Sequence, residues 1–110
     1  MAVGFPANHQ EEFMIPPTLH PGVIWQALQT MGWTGSGTPD GSQFRVSSSM
    51  SFGSWGENIT VFRVAPDRIQ VRSECAMPTQ VFDWGRNEQN VKRFFATLVA
   101  LASGQPPPRF

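Results

Sequence analysis

The stretch ENITVFRVAPDRIQVRSEC, residues 57–75, decides the fold, because it contains two strand-like runs joined by a turn. In the run at 68–75, small or apolar residues alternate with polar ones: Ile69, Val71, Ser73 and Cys75 against Gln70, Arg72 and Glu74. This alternation predicts a strand of an antiparallel sheet that is covered on one side only. The run at 57–64 is apolar on both faces, which predicts a central strand with partial cover on its second face. Pro66-Asp67 predicts the hairpin turn.

Two further strands are predicted outside this hairpin. Residues 43–50, QFRVSSSM, alternate in the same way and predict a strand. Residues 11–15, EEFMI, predict a short strand that ends at Pro16-Pro17, because proline cannot donate a ladder hydrogen bond. The stretch TGSGTPDGS at 34–42 predicts a loop, with Pro39-Asp40-Gly41 as its turn.

Two helices are also predicted. Residues 18–33 combine Thr18 or His20 as a possible N-cap, Pro21 in the first turn and Gly32 as a left-handed terminator. From Asn87 onward, the apolar residues have helical spacing: Val91, Phe94, Phe95, Leu98, Val99 and Ala102. Asn87 is the predicted N-cap of this last helix.

The predicted fold class is α+β, an antiparallel sheet of about four to five strands with two helices packed on one face. The predicted element order is β-α-β-β-β-α, which resembles the TATA-binding-protein-like arrangement, a likeness of form that carries no function. We expect residues 1–10 to be a flexible N-terminus, 11–102 to be a single domain and 103–110 to be a flexible, proline-rich tail.

The composition disfavours several classes of function. The formal net charge is zero, so a nucleic-acid binder is not expected. The single cysteine, Cys75, excludes an intrachain disulfide, and with only His9 and His20 besides we expect no metal site and no cofactor. The sequence contains no apolar run long enough to span a membrane and no signal peptide, so we expect a cytoplasmic protein.

Polar and aromatic residues concentrate in two Trp-Gly turns and the start of the last helix. The candidate site residues are Trp55, Glu57, Thr79, Gln80, Asp83, Trp84, Asn87 and Asn90. In a structural interpretation, these side chains end a strand, start a helix and fill the rim of the core. In a functional one, Glu57 and Asp83 converge for acid–base chemistry, or the tryptophans form exposed anchors for a partner. Cys75 is predicted to be a small buried residue and not a nucleophile.

The segments SWGENITV (54–61) and VRSECAMPTQVFDWGRNEQNVKRF (71–94) resemble a pattern found in small uncharacterised bacterial proteins and domains. That pattern has a Ser-Trp-Gly-Glu turn and later a Pro-Thr-Gln…Asp-Trp-Gly-Lys-Asn segment before a terminal helix. The likeness covers roughly residues 52–95, and Arg86 stands where the pattern has lysine. The resemblance implies a shared fold and a shared polar site, and it implies no activity.

Three classes of function stay open. The first is a non-catalytic module that binds an unknown protein partner or self-associates, for example as a homodimer. The second is a small-molecule-binding domain or hydrolase that uses Glu57, Asp83 and the asparagines. Nucleic-acid binding through Arg45 and Arg72 on the solvated sheet face is third and not expected. We also hypothesise that the two Trp-Gly turns meet, with Glu57 hydrogen-bonded to the loop at 79–87 in a network that fixes the last helix.

Overall fold

The structure is a computed structural model, and it describes residues 8–48, 56–75 and 86–108. Within these residues the elements, in chain order, are β1 Asn8–Met14, α1 Pro21–Thr30, β2 Thr34–Gly37, β3 Gln43–Ser47, β4 Glu57–Ala65, β5 Arg68–Cys75 and α2 Arg86–Ala102. The predicted α+β class is confirmed. Neither helix in these ranges has both the length and the apolar character needed to cross a membrane.

The described strands form one antiparallel sheet in the order β1-β5-β4-β3-β2. The hairpin predicted for residues 57–75 lies at its centre, because β4 and β5 are neighbours and are joined by the turn at Pro66-Asp67. The N-terminal strand also joins this hairpin, because β1 pairs with β5 and not with β2, the next strand in the chain. The strands β1 and β2 therefore form the two edges of the sheet.

Both helices pack on the same face of this sheet, α2 against β1 and β5, and α1 against α2 and β2. The core between the layers includes inward residues of the three inner strands and of both helices: Phe44, Val46, Ile59, Val61, Ile69, Val71, Ile24, Leu28, Val91, Phe94 and Leu98. Burying each of these side chains contributes about 1.5–3 kcal/mol. The alternation in the sequence thus predicts the buried face correctly.

No described element covers the opposite face of the sheet. Val64 is 49% exposed there, and Phe62 lies half-buried in register between Gln43 and Gln70. Within the described residues, the neighbouring strands shield Phe62 on this face, and the partial cover predicted for the second face of β4 stays a prediction. An apolar residue on a strand indicates a half-buried position but does not require a second layer.

The start and end of α1 follow the local sequence signals. Of the two possible caps, His20 is the N-cap, and its Nδ1 accepts a hydrogen bond from the Gly22 backbone nitrogen at 2.9 Å. Pro21 occupies the first helical position, where its missing N–H leaves no hydrogen bond unmade. After the helix, Gly32 has a φ of +80°, as expected for a left-handed terminator.

Three expectations about element bounds are corrected. Residues 34–37, predicted as loop, form β2, because pairing with β3 outweighs the low strand propensity of glycine. The strand β1 starts at Asn8, three residues before the predicted start at 11. The helix α2 begins at Arg86, so Asn87 is a helical residue whose side chain bonds to the sheet and not the N-cap in front of the helix.

Candidate functional site

A network of polar side chains lies between the sheet and the start of α2. Its described members are Ser48, Glu57, Ser73, Cys75, Asn87 and Asn90. The alternation of each strand places its members on the helix-covered face, since Glu57 is two residues before Ile59 and Ser73 is two residues after Val71. Asn87 and Asn90 are three residues apart on one helix and therefore share a face.

Glu57 is at the centre of this network and is only 2% exposed. Its Oε1 accepts hydrogen bonds from Asn90 Nδ2 at 2.9 Å and from Ser48 Oγ at 3.2 Å. Its backbone nitrogen donates to the same Ser48 oxygen at 2.8 Å. These bonds hold the carboxylate of β4 between the end of β3 and the first turns of α2.

The network continues from Asn90 to β5. The second hydrogen of Asn90 Nδ2 goes to Ser73 Oγ at 3.2 Å, and Ser73 Oγ donates to Asn87 Oδ1 at 2.7 Å. Asn87 Nδ2 in turn donates to Cys75 Sγ at 3.5 Å. Throughout the described ranges, every buried side-chain nitrogen or oxygen has a hydrogen-bond partner, so the cost of burying these groups is offset.

The structure brings three of the predicted site residues together, namely Glu57, Asn87 and Asn90. The other five lie outside the described residues: Trp55, Thr79, Gln80, Asp83 and Trp84. The meeting of the two Trp-Gly turns thus stays a prediction. Ser48 and Ser73 were not among the predicted site residues, although a hydroxyl at an inward strand position, where an apolar residue is the rule, was a usable signal.

None of the hydrogen bonds given above joins a nucleophile to a basic side chain. The group that Cys75 Sγ contacts in them is the Asn87 amide, and an amide is not a base. The two histidines are used elsewhere, because His9 bonds to Glu11 at 2.8 Å on β1 and His20 caps α1. In the part of the chain that the structure describes, no three His, Cys, Asp or Glu residues are grouped so as to hold a metal ion.

A shallow depression of about 380 Å³ lies on the opposite, uncovered face of the sheet. Its lining residues are Thr34, Gly35, Arg45, Val46, Ser47, Asn58, Ile59, Thr60 and Glu74. The depression forms because short side chains occupy the middle of the face, while longer ones rise from β3 and β5. Ser47 Oγ donates to Asn58 Oδ1 at 2.9 Å across its floor.

Two arginines stand on either side of Thr60 in one row of the sheet, Arg45 on β3 and Arg72 on β5. Arg72 has partners, since its guanidinium lies 3.5 Å from Glu74 Oε2 and 3.5 Å from Gln10 Oε1. Arg45 is exposed, and its Nε lies 2.8 Å from the side-chain amide of Gln43, which can accept a hydrogen bond when its oxygen is turned toward the guanidinium. The ion pairs found among the described residues do not include Arg45.

The whole chain was compared with protein-family models, with curated proteins and with solved structures, and none of the three comparisons gives a significant match. The resemblance to small bacterial proteins and the likeness to a TATA-binding-protein-like arrangement therefore stay predictions.

Proposed function

We propose that the chain is a non-catalytic module that binds a protein partner through the uncovered face of its sheet. The observation that carries this proposal is the position of both helices on one face, so that no described element covers the depression and its polar rim on the other. A partner can bury this surface without any rearrangement of the core, as in most preorganised complexes.

The chemistry of the uncovered face favours a protein over a nucleic acid as the partner. Arg45, Arg68 and Arg72 are interspersed with Glu12 and Glu74, so the face has charges of both signs and no strong excess of positive charge. Nucleic-acid surfaces of this sheet type combine a basic field with several stacking aromatics. Mixed charges at short spacing match a protein surface and determine which partner is accepted.

The polar network supports a structural role for Glu57 and the asparagines. The Glu57 carboxylate is buried on the helix-covered face, away from the depression, and is held by donors from β3 and α2. A hydrolase needs its carboxylate within reach of a substrate, so the alternative enzymatic reading of this site has less support. The network instead fixes the position of α2 on the sheet, as a satisfied buried network does.

A photo-crosslinking experiment tests this function. The photoreactive amino acid benzoylphenylalanine is placed at Thr60, in the depression, and separately at Val99, which is 47% exposed on α2. We expect the Thr60 probe to form a discrete covalent adduct with a polypeptide in cells, and the adduct to weaken with Arg72→Glu.

The control position decides how the result is read. Equal adducts from Thr60 and Val99, or none from Thr60, would overturn the proposal. An adduct of twice the chain mass, matched by a dimer in analytical ultracentrifugation, would replace the foreign partner with a second copy.

A further inference from the structure

The outer edge of β2 has no strand paired to it within the described residues, because β2 is the last strand in the sheet order. A strand edge of this kind presents backbone N–H and C=O groups that can pair with another chain. The four residues of β2, TGSG, include no charged side chain, whereas the opposite edge strand has Glu11 and Glu12. Charged residues are a common protection of edge strands, and β2 lacks it.

The hydrogen-bonding pattern shows which groups of β2 point outward. The Thr38 backbone nitrogen donates to Gln43 O at 2.9 Å, and Ser36 pairs with Arg45 two residues further along each strand. In an antiparallel ladder, hydrogen-bonded pairs recur at every second residue. The backbone groups of Ser36 therefore face β3, and those of Gly35 and Gly37 face outward.

The bonds on the other side of β3 agree with this assignment. Ser42 O accepts from the Arg63 backbone nitrogen at 2.8 Å, and the Ser48 nitrogen donates to Glu57 O at 2.9 Å. Even-numbered residues of β3 therefore bond to β4, which leaves the odd-numbered ones for β2.

Both outward residues must be glycine for steric reasons. A Cβ on Gly35 would clash with the carbonyl oxygen of Arg45, and a Cβ on Gly37 would lie 2.5 Å from a ring carbon of Phe44. Because neither residue has a side chain, nothing of its own screens its outward N–H and C=O groups. The missing side chains therefore have two effects: they allow β2 to pack tightly against β3, and they leave its outward backbone groups accessible.

The two faces beside this edge differ in chemistry. On the open face, Arg45 on β3 lies opposite Ser36 in the same cross-strand row, one strand further from the β2 edge and at the rim of the depression. The side chain of Ser36, which lies between Arg45 and this edge, is short. On the helix-covered face, the Phe44 ring lies against Gly37 and is stacked on half-buried Trp25 at a centroid distance of 6.1 Å. An acidic side chain fits the first face and an apolar one fits the second.

We infer that the β2 edge binds an extended segment of the protein partner by antiparallel strand addition, with the local sequence apolar–acidic–apolar. This inference deepens the proposed function and rests on it. The two apolar residues lie opposite Gly35 and Gly37 and exchange backbone hydrogen bonds with them, on the helix-covered face in the rows of Val46 and Phe44. The acidic residue between them lies opposite Ser36 and faces Arg45. The four-residue length of β2 limits the pairing to this short core.

The test is an NMR titration of the ¹⁵N-labelled chain with the blocked peptide Thr-Val-Glu-Val-Thr at millimolar concentration. We expect shifts and slower deuterium exchange at the amides of Gly35 and Gly37. Methylating both valine nitrogens removes two donors that face β2 and should weaken binding at least about fivefold. Methylating the glutamate nitrogen, which faces away, is the matched control and should have a much smaller effect.

The charge contact is tested with Arg45→Gln. We expect this variant to bind the glutamate peptide about two- to fivefold more weakly, and to bind the same peptide with glutamine as well as the unaltered chain does. Arg68→Gln, which changes an arginine on β5 at the far end of the sheet, should leave both affinities unchanged. If Arg45→Gln lowered the affinity for the glutamate and glutamine peptides equally, the proposed contact between Arg45 and the acidic residue would be refuted.

The outcomes separate this inference from the proposed function. If the Thr60 probe forms its adduct while the Gly35 and Gly37 amides do not respond to the peptide, strand addition is overturned and the binding face stands. If these amides are already protected in the free chain, the edge is occupied. Protection that rises with protein concentration then assigns it to a second copy, and constant protection assigns it to the chain itself. Either result overturns binding of a partner segment.

Discussion

At the scale of single residues, the amide of Asn90 connects three elements through one nitrogen atom. Its Nδ2 donates to Glu57 Oε1 on β4 and to Ser73 Oγ on β5, and both of its hydrogens are used. Asn90 itself belongs to α2, so the position of this helix on the sheet depends on directional bonds as well as on apolar burial.

Replacing Asn90 with alanine should therefore destabilise the fold. We expect Asn90→Ala to lower the free energy of unfolding by about 1–3 kcal/mol, because it removes a donor from the buried Glu57 carboxylate. The measurement is urea denaturation followed by circular dichroism. Gln89→Ala, at an exposed neighbouring position, is the control and should stay within about 0.5 kcal/mol of the unaltered chain. Equal stability of the two variants would contradict a structural role for the network.

Asp40 lies in the tight turn between β2 and β3, and its pKa is lowered from the ordinary 3.8. The largest cause is the Thr38 hydroxyl, which donates to Asp40 Oδ1 at 2.7 Å, followed by the backbone nitrogen and hydroxyl of Ser42. These donors favour the charged carboxylate, as hydrogen bonds to a charged form do. The hydrogen bonds that Thr38 and Ser42 make in the β2–β3 turn are therefore stronger when Asp40 is charged.

Thr38→Val should raise the pKa of Asp40 toward its ordinary value, whereas Thr38→Ser keeps the hydroxyl and should leave it low. The check is a ¹³C NMR titration of the Asp40 carboxyl group. Because the folded pKa is the lower one, the stabilisation is fully present above 3.8 and is lost as the pH falls through the folded value. A Thr38→Val variant with an unchanged titration would show that other groups set this pKa.

The network shows what can be predicted about a site from sequence and what cannot. Strand alternation predicts that Ser73 points inward, and helical spacing places Asn87 and Asn90 on one face. The bond from Asn90 to Glu57 joins residues 33 positions apart in sequence. It exists only because α2 packs against this end of β4 and β5, which is a property of the tertiary structure and not of either segment alone.

At the scale of elements, Arg63 joins the β1–α1 connection to the β4–β5 turn. Its Nη1 donates to Leu19 O at 2.7 Å and its Nη2 to Pro66 O at 2.8 Å. Longer bonds of 3.4 Å reach the carbonyls of Pro16 and Pro17. The pairing of β4 with β5 shifts register between Arg63 and Ala65, at the base of this arrangement. The planar guanidinium serves several carbonyls that no strand or helix satisfies.

Arg63→Lys should be destabilising even though it conserves the charge. An ammonium group is a point donor and cannot reach Leu19 O and Pro66 O together, so we expect a loss of about 1–3 kcal/mol in thermal or urea unfolding. Arg68→Lys is the matched control, since the Arg68 guanidinium lies 3.9 Å from Glu12 and both groups are about half exposed. Its effect should stay below about 1 kcal/mol. A smaller effect of Arg63→Lys than of Arg68→Lys would refute this role.

The strands and helices were predictable to different degrees. Alternation or helical periodicity predicted β3, β5, α1 and α2, because in each of them one face is buried, and β4 was predicted from a run that is apolar on both faces. The strand β2 has two glycines and two short polar residues, so no hydrophobic pattern marks it. Its conformation comes from pairing with β3 and from the Phe44 ring that covers Gly37, and both are contacts between elements.

At the scale of the whole molecule, the layered arrangement predicts an order of protection from exchange. Val61 and Val71 are fully or almost fully buried on the two central strands, whereas all four residues of β2 are exposed. We expect the amides of Val61 and Val71 to exchange with deuterium only through global unfolding, and those of Gly35 and Gly37 to exchange orders of magnitude faster. Native-state exchange followed by NMR measures this order. Equal protection across the sheet would contradict an open β2 edge.

The pairing of β1 with β5 has a consequence for the order of events in folding. The strands β2, β3 and β4 each pair with the next strand in the chain, but β1 pairs with β5. Phe13 on β1 must therefore reach Ile69 on β5 and Phe95 on α2, whose ring centroid lies 4.0 Å from that of Phe13. Closing so long a loop is entropically slow, so β1 should dock after the rate-limiting barrier. In stopped-flow experiments, Phe13→Leu should accelerate unfolding and barely change the refolding rate, and a mainly slowed refolding would place β1 in the nucleus. The N-terminal strand is then the last element to dock during folding and the first to detach during unfolding.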